Sequence, residues 1–400
     1  MTNSLSPCKF ESERFFVYNP SIVEQRIRAF RNAFEKNFRS FELAYSVKTN
    51  YFPCVLDTVI SQGVTPEIVS QFELQMLRFI SYDGAYILNG PIKTEMAIID
   101  SLENGSVVNI DSLSDWRKIR AVLDRSNITK LLKICIRLNL NESNLSTSRF
   151  GIQPNSDIFH IVMQEIEQTD ACALVGFHLH LPDRGLESFA DRAHAIRIIL
   201  ERQLMLSPEE GITVNLGGGF RSEMPSSLSH LNVDLHDYAI AIVQGLGSDL
   251  CKKIHLILEP GTSIVAGAFD YYTKIIEIKN YGDTNDIFVN GSIFDYSAKA
   301  LSKAFDYFVI NLEQNSAERV NGRIVGYTCI EDDILLDDVD LIISRGDYLR
   351  IKGVGSYSLV MRPNFIFERP AIYQVDENYN LRKVHEPQSV ADLLRGYYAN

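Results

Sequence analysis

A lysine, a run of three glycines and a glutamate each close a separate apolar run in this 400-residue chain. Lys48 ends LAYSVK, where a charged, unpaired amine is costly and where desolvation makes it nucleophilic enough to condense with an aldehyde. The competing reading is a lysine whose stem lies on apolar surface while its head reaches water. Gly217, Gly218 and Gly219 follow ITVNL and let backbone N–H groups approach an anion with no Cβ in the way, although a flexible turn would read the same. Glu259, in LILEPG, is a carboxylate that can keep a heteroaromatic nitrogen protonated, or else half of a structural ion pair. His180, in FHLHL, offers a ring to stack on a flat ligand. His178 shares its strand face by period two, and either can be a satisfied core histidine. Taken together, the set suits a phosphorylated, electron-withdrawing ring.

The elements that must position these residues are short apolar runs alternating with amphipathic stretches. Strands are expected at 41–48, 65–70, 85–90, 106–111, 132–140, 174–181, 212–219 and 255–261. Helices are expected at Ile22–Phe38, Gln71–Tyr82, Ser114–Leu123, Asp157–Gln168, Leu186–Glu201 and Asp237–Leu250. Eight strands in about 220 residues predict an α/β fold, a (β/α)8 TIM-like barrel over residues 19–265, with the site at the C-terminal strand ends. Beyond it, strand-like runs separated by short polar gaps predict a mainly antiparallel β domain, sandwich- or barrel-like, over 266–400. The run Arg14–Tyr18, within residues 1–18, adds a strand to that domain, and Glu377-Asn378 marks a hairpin tip.

A hydrophobic content of 46% with 22% charged residues describes a folded protein, and a net charge of -12 argues against nucleic acid or an anionic membrane surface as partner. Cys8, Cys54, Cys135, Cys172, Cys251 and Cys329 are far apart, without metal-ligand spacing, and read as free thiols of a cytoplasmic protein. Neither a signal peptide nor a membrane span is expected.

In combination, the motifs resemble the fold-type III, alanine-racemase-like enzymes, and most closely the ornithine, diaminopimelate and arginine decarboxylase group. AYSVKTN resembles the cofactor-lysine segment, FHLHLPD the His-x-Gly-Ser segment, VNLGGGF the phosphate-binding glycines and EPGTSIVAGAF the Glu-Pro-Gly-Arg segment. GYTCIEDDIL resembles Cys-Glu/Asp-x-x-Asp, RGDYLRI the Gly-Asp strand and GVGSYS the Gly-Ala-Tyr segment. The resemblance implies pyridoxal 5'-phosphate held by Lys48, with His180 stacked on its ring and Glu259 at its nitrogen. It implies a phosphate held by Gly217–Gly219, Gly261 and Tyr357, with Thr262 beside it. It also implies a head-to-tail homodimer with shared sites, in which Cys329 crosses the interface as proton donor. Without the family, Cys329 reads as an ordinary buried thiol and Tyr357 as a packed strand aromatic. Asp306, Asp183 and Glu331 are the candidate substrate-binding acids, Asp306 by its likeness to the aspartate that meets a distal amine.

Three departures bear on the substrate. Thr262 stands where the family has arginine and cannot replace a bidentate guanidinium; Pro182-Asp183 replaces Gly-Ser; Ile330 replaces the acid after the cysteine. The implied reaction is decarboxylation of an amino acid or amino-acid-derived biosynthetic intermediate, through an external aldimine and a quinonoid. The alternatives are an amino-acid racemase or epimerase on the same fold, and a non-catalytic homologue acting as regulator.

Overall fold

The computed structural model describes residues 12–127, 129–140, 148–203, 211–297, 305–312 and 317–397. Cys8 lies outside them. The chain separates into two compact units. One comprises Val23–Ser222 and Asn232–Ile264; the other takes the described residues up to Ile22, Glu223–Leu231 and those from Val265 onward.

The first unit is a closed parallel barrel. The strand β1 (Arg14–Tyr18) precedes it in sequence, and its staves are β2 (Ser40–Ser46), β3 (Thr65–Ile68), β4 (Ile87–Leu88), β5 (Val107–Ile110), β6 (Leu132–Arg137), β7 (Cys172–His178), β8 (Ile212–Asn215) and β9 (Ile254–Leu258). Each pairs with the next, and Ser40–Leu43 of β2 pairs with His255–Leu258 of β9 to close the ring. The expected barrel is therefore present.

Its strands are shorter than the apolar runs, because each run continues past the last ladder bond into the loop that carries the chemistry. Lys48 does not end a strand but sits on a 3-10 turn, Val47–Thr49, after β2. Similarly, His178 is the last residue of β7 and His180 lies in the loop beyond it.

The helices α1 (Pro20–Phe34), α2 (Pro53–Ser61), α3 (Gln71–Phe79), α4 (Glu95–Asn104), α5 (Leu113–Leu123), α6 (Asp157–Glu167), α7 (Leu186–Gln203) and α8 (Leu235–Leu246) follow the helical expectations, with α2 and α4 in addition. Their starts have a chemical cause. Ser70, Thr94, Ser112 and Ser156 each accept a hydrogen bond from the amide three residues on, satisfying a donor that has no partner within the helix. In α5 the buried Trp116, Ile119, Val122 and Leu123 recur at three- and four-residue spacing, the stripe that lies on a barrel wall.

The second unit is one nine-stranded sheet. Its strands after β1 are β10 (Phe269–Asn280), β11 (Asn285–Val289), β12 (Tyr307–Ile310), β13 (Glu318–Val325), β14 (Ile334–Ile343), β15 (Tyr348–Lys352), β16 (Ala371–Val375) and β17 (Leu381–His385). Most pairs are antiparallel, but β1–β16 and β11–β13 run parallel. The expected N-terminal strand pairs with β10 on one edge and β16 on the other, and Phe15 and Val17 pack with Tyr272, Tyr348, Tyr373 and Val375. The 16–17 hairpin turns at Asp376–Asn380, closed by a bond from Asp376 N to Asn380 O.

Candidate active site

At the C-terminal ends of β2, β3, β4 and β9, four polar side chains meet inside the barrel. Lys48 Nζ donates to Glu67 Oε2 at 2.6 Å; the glutamate side chain is fully buried, whereas that of the lysine is 40% exposed. Lys48 is thus neither buried nor snorkelling freely, but tied to a carboxylate that sequence reasoning passed over. Glu67 also accepts from Ser46 Oγ at 2.5 Å and from Asn89 Nδ2 at 2.8 Å.

The same Asn89 amide reaches Glu259, at 3.0 Å to Oε1 and 3.1 Å to Oε2, and Asn215 Nδ2 donates to Oε1 at 2.7 Å. Asn109 Nδ2 holds the other end of Asn89 by its Oδ1, so the amide cannot turn over without losing that bond. Burial alone would raise the Glu259 pKa. The nearby His178 ring, Lys48 and the Asn215 amide outweigh it, and the carboxylate ends well below its usual range. The His178 Nε2 atom stands 3.5 Å from Glu259 Oε2, and both its ring nitrogens are buried without a hydrogen-bond partner.

The loops after β7 and β8 carry the histidine and the glycines. Gly218 N–H donates to His180 Nδ1 at 2.9 Å, which leaves the proton of a neutral ring on Nε2. Burial holds that ring well below the usual imidazole range, so it is neutral at physiological pH. Gly217 and Gly219 adopt φ of +65° and +104°, conformations that L side chains rarely take. A Cβ on Gly217 would lie 2.6 Å from His180, and one on Gly218 would lie 2.6 Å from the Glu259 carbonyl oxygen. These glycines are required by close approach. They do not all face an anion, however: Gly217 N–H is taken by Asn215 Oδ1 at 2.9 Å and Gly218 N–H by His180. Phe220 anchors the far end of the loop, its ring 5.2 Å from Phe30, 4.5 Å from Phe189 and 5.0 Å from Tyr238.

Gly261 lies in the loop after the neighbouring strand β9. A Cβ there would meet Thr49 Oγ1 at 2.0 Å, so glycine lets the loop bearing Glu259 lie directly on the turn bearing Lys48. Ser46 fastens the two, its N–H bonding Pro260 O and its hydroxyl bonding Glu259 O. Thr262 is half-buried at the start of the short helix Thr262–Val265, and Asp183 is half-buried, its carbonyl accepting from Arg192.

The remaining candidates belong to the β unit. Cys329 is an exposed free thiol, not the ordinary buried thiol that it reads as without the family resemblance. Its turn is braced by the buried Asp333, which accepts from Ser292 Oγ, Thr328 Oγ1 and the amides of Ile293 and Thr328. Glu331 in the same turn is exposed. Tyr357 is not a packed strand aromatic. It is 37% exposed and sits at φ +62° immediately before a short helix, a strained conformation for a bulky side chain that commonly marks a ligand contact. Asp306 accepts from Ser226 N–H at 2.9 Å and lines a cavity of about 440 Å³ with Phe305, Tyr307, Leu336 and Asp337. Among the described residues, no three acidic, histidine or cysteine side chains gather to hold a metal.

The barrel-mouth chemistry fits pyridoxal 5'-phosphate. It has a primary amine, an ionised carboxylate set in amides for a ring nitrogen, a neutral oriented imidazole and a loop whose glycines leave room for an anion.

Comparison with known proteins agrees. A family model described as "Pyridoxal-dependent decarboxylase, pyridoxal binding domain" matches residues 21–266. A probable chloroplastic diaminopimelate decarboxylase of Oryza sativa subsp. japonica is 26% identical over 96% of this chain and 79% of its own. The diaminopimelate decarboxylase of Methanocaldococcus jannaschii is 26% identical over 92% of this chain and 86% of its own. A crystal structure of diaminopimelate decarboxylase from M. jannaschii superposes with a TM-score of 0.85 at 23% identity, covering 98% of this chain and 94% of that one.

Proposed function

The chain belongs to the pyridoxal-dependent decarboxylases, whose family model spans more than half of it, and from that premise we propose which residues act and on what kind of amino acid. Pyridoxal 5'-phosphate supplies the electron sink that makes loss of the α-carboxylate of an amino acid feasible. Lys48 is the residue that holds the cofactor, and the observation that carries this reading is its amine, 2.6 Å from a buried Glu67 that shares Asn89 with Glu259. Glu67 accepts the proton that Lys48 must shed to become a nucleophile, at Oε2. Glu259 keeps positive charge on the ring nitrogen. His180, oriented by the Gly218 amide, stacks on the ring. Gly219, Gly261, Thr262 and Tyr357 take the phosphate.

Protonation at Cα after carbon dioxide leaves falls to the Cys329 thiol of the partner subunit in a head-to-tail homodimer. Its exposed sulfur supports that role, because a thiol that must enter another subunit's site cannot be buried in its own. Asp306, Asp183 and Glu331 are the candidate substrate contacts. Thr262 and Ile330, which offer neither a fixed cation nor an acid, favour an amino-acid conjugate or biosynthetic intermediate over a plain basic amino acid. No helix among the described residues is long and apolar enough to cross a membrane. The free Cys135, Cys172, Cys251 and Cys329 support a reducing, cytoplasmic setting.

The test is carbon dioxide release by purified protein with cofactor against a panel led by diaminopimelate, lysine and ornithine and extended to their conjugates. Release from a conjugate above the plain amino acids supports the reading; a change of product chirality without carbon dioxide overturns it. Activity that falls on dilution supports shared sites, and a fully active monomer overturns them.

A further inference from the structure

Arg192, on α7, is completely buried, yet its hydrogen bonds go to uncharged groups. Its Nε donates to Ser188 Oγ at 3.2 Å, Nη1 to Leu216 O at 3.3 Å and Gly218 O at 3.0 Å, and Nη2 to Leu181 O at 3.2 Å and to Asp183 O. Those bonds occupy every N–H of the guanidinium. The ring of Phe189 lies 4.3 Å beneath it. Burial pushes the group down to about 10, against a pull upward from the Asp183 carboxylate, so it remains a cation at neutral pH. None of its five hydrogen bonds goes to a charged group, and the Asp183 carboxylate is the acid that acts on it.

The partners of Arg192 explain its place. Leu181 and Asp183 flank the loop after His180, while Leu216 and Gly218 flank the glycine turn, so one side chain joins the two loops. Peptide units are planar and trans, so turning the Gly218 carbonyl onto Arg192 sends the Gly219 N–H in the opposite direction. That N–H meets no acceptor among the described residues, whereas those of Gly217 and Gly218 are engaged within the protein. The guanidinium also sits close behind it: Nη2 and Nη1 would be 3.5 and 3.7 Å from a Cβ on Gly219.

We infer that Arg192 is a positioning residue for the cofactor's phosphate, holding the Gly219 amide outward and placing buried positive charge behind it where Thr262 offers only a hydroxyl. The inference rests on the cofactor reading above.

The experiment titrates apoprotein with pyridoxal 5'-phosphate and, separately, with pyridoxal, which forms the same bond to a lysine but has no phosphate. In wild type both bind and the phosphate ester binds far more tightly. Arg192→Met, which keeps the packing on Phe189, should weaken binding of the phosphate ester by about tenfold to a hundredfold, the loss of one charge-assisted contact. Pyridoxal binding should change less than about twofold, and inorganic phosphate should no longer raise the melting temperature of the apoprotein. Arg192→Lys, keeping charge with fewer donors, should recover part of the difference. Equal loss for both ligands would mark a merely structural residue and overturn the inference, as would unchanged binding of both. Should Arg192→Met not fold, the ratio of the two affinities in Arg192→Lys decides: a ratio equal to wild type overturns it. If wild type binds neither ligand, the cofactor reading itself falls.

Discussion

Glu259→Gln separates the charge of this side chain from its shape. Asn215 donates to it at 2.7 Å and Asn89 at 3.0 and 3.1 Å. A hydrogen bond to a charged acceptor contributes about 1.5–3 kcal/mol and a neutral one about 0.5–1.5 kcal/mol, so neutralising Glu259 weakens the bonds of its two donors by about 2 kcal/mol together. Removing a charge from a buried site offsets part of that loss, so the variant folds at neutral pH. The larger signal is in acid. The folded carboxylate has a depressed pKa, so its stabilisation is complete above the unfolded value of about 4.3 and is lost as pH falls below it toward the folded value. Each unit of depression corresponds to about 1.4 kcal/mol. Urea unfolding of both apoproteins at neutral pH and at about pH 3.5 should show wild type losing about 1 kcal/mol more than the variant. An equal acid loss in the two would refute the assignment of a strongly acidic Glu259. In the holoenzyme, Glu259→Gln should keep the visible Schiff-base absorbance but lose a hundredfold or more in turnover, about 2.7 kcal/mol. Normal turnover would remove Glu259 from the ring nitrogen.

Lys48→Ala should abolish both the bound chromophore and turnover. The fold should survive, because Glu67 keeps its bonds from Ser46 and Asn89, and any residual turnover would refute Lys48 as the anchor. Cys329→Ala should retain colour while slowing product formation or altering its partition, measured by product analysis under single turnover; unchanged kinetics would exclude the thiol. Asp295→Ala should destabilise the β unit by about 3–5 kcal/mol in denaturant titration, because it strips the counter-charge from a buried Arg362. A loss below about 1 kcal/mol would show that Arg362 finds another partner.

The barrel was legible because parallel staves covered by helices must be apolar on both faces, and that run-and-gap rhythm survives in the chain. The ends of the strands were not. Apolar residues such as Val47 and Leu179 continue past the ladder because they pack inside the loops, and nothing in their chemistry announces where pairing stops. Lys48, the glycines and Glu259 stood out as polar or special residues closing such runs. Asn89 and Asn215 do the same in AYILNG and ITVNL, and reading those runs for their last polar residue would have found both, whereas in TPEIVS and SVVNID that rule stops at Ser70 and Asp111 and misses Glu67 and Asn109. Arg192 had no such signal. It lies in an ordinary amphipathic helix, where one arginine on the buried face looks like its exposed neighbours until packing reveals five donors, four of them on main-chain carbonyls and one on the Ser188 hydroxyl. For Tyr357 and Cys329 the obstacle was backbone conformation and exposure, which period and propensity do not encode.

One amide decides how two carboxylates coexist in a low-dielectric barrel. Glu67 and Glu259 would repel each other and favour protonation of one, as closely placed acids generally do. Here Asn89 Nδ2 lies within hydrogen-bond distance of both, at 2.8 Å from Glu67 and 3.0 Å from Glu259, and its own oxygen is held by Asn109. A donor shared between the pair lowers the cost of both negative charges at once, and it couples them. A proton arriving on Glu67 from Lys48 leaves Asn89 free to bond Glu259 more fully. The carboxylate beside the amine can therefore accept a proton while the charge at the other end of the site gains a firmer hydrogen bond, which suits the proposed transfer from Lys48 to Glu67. A histidine of uncertain protonation in place of Asn89 would add a charge of its own to the exchange; an asparagine, anchored at both ends, adds none.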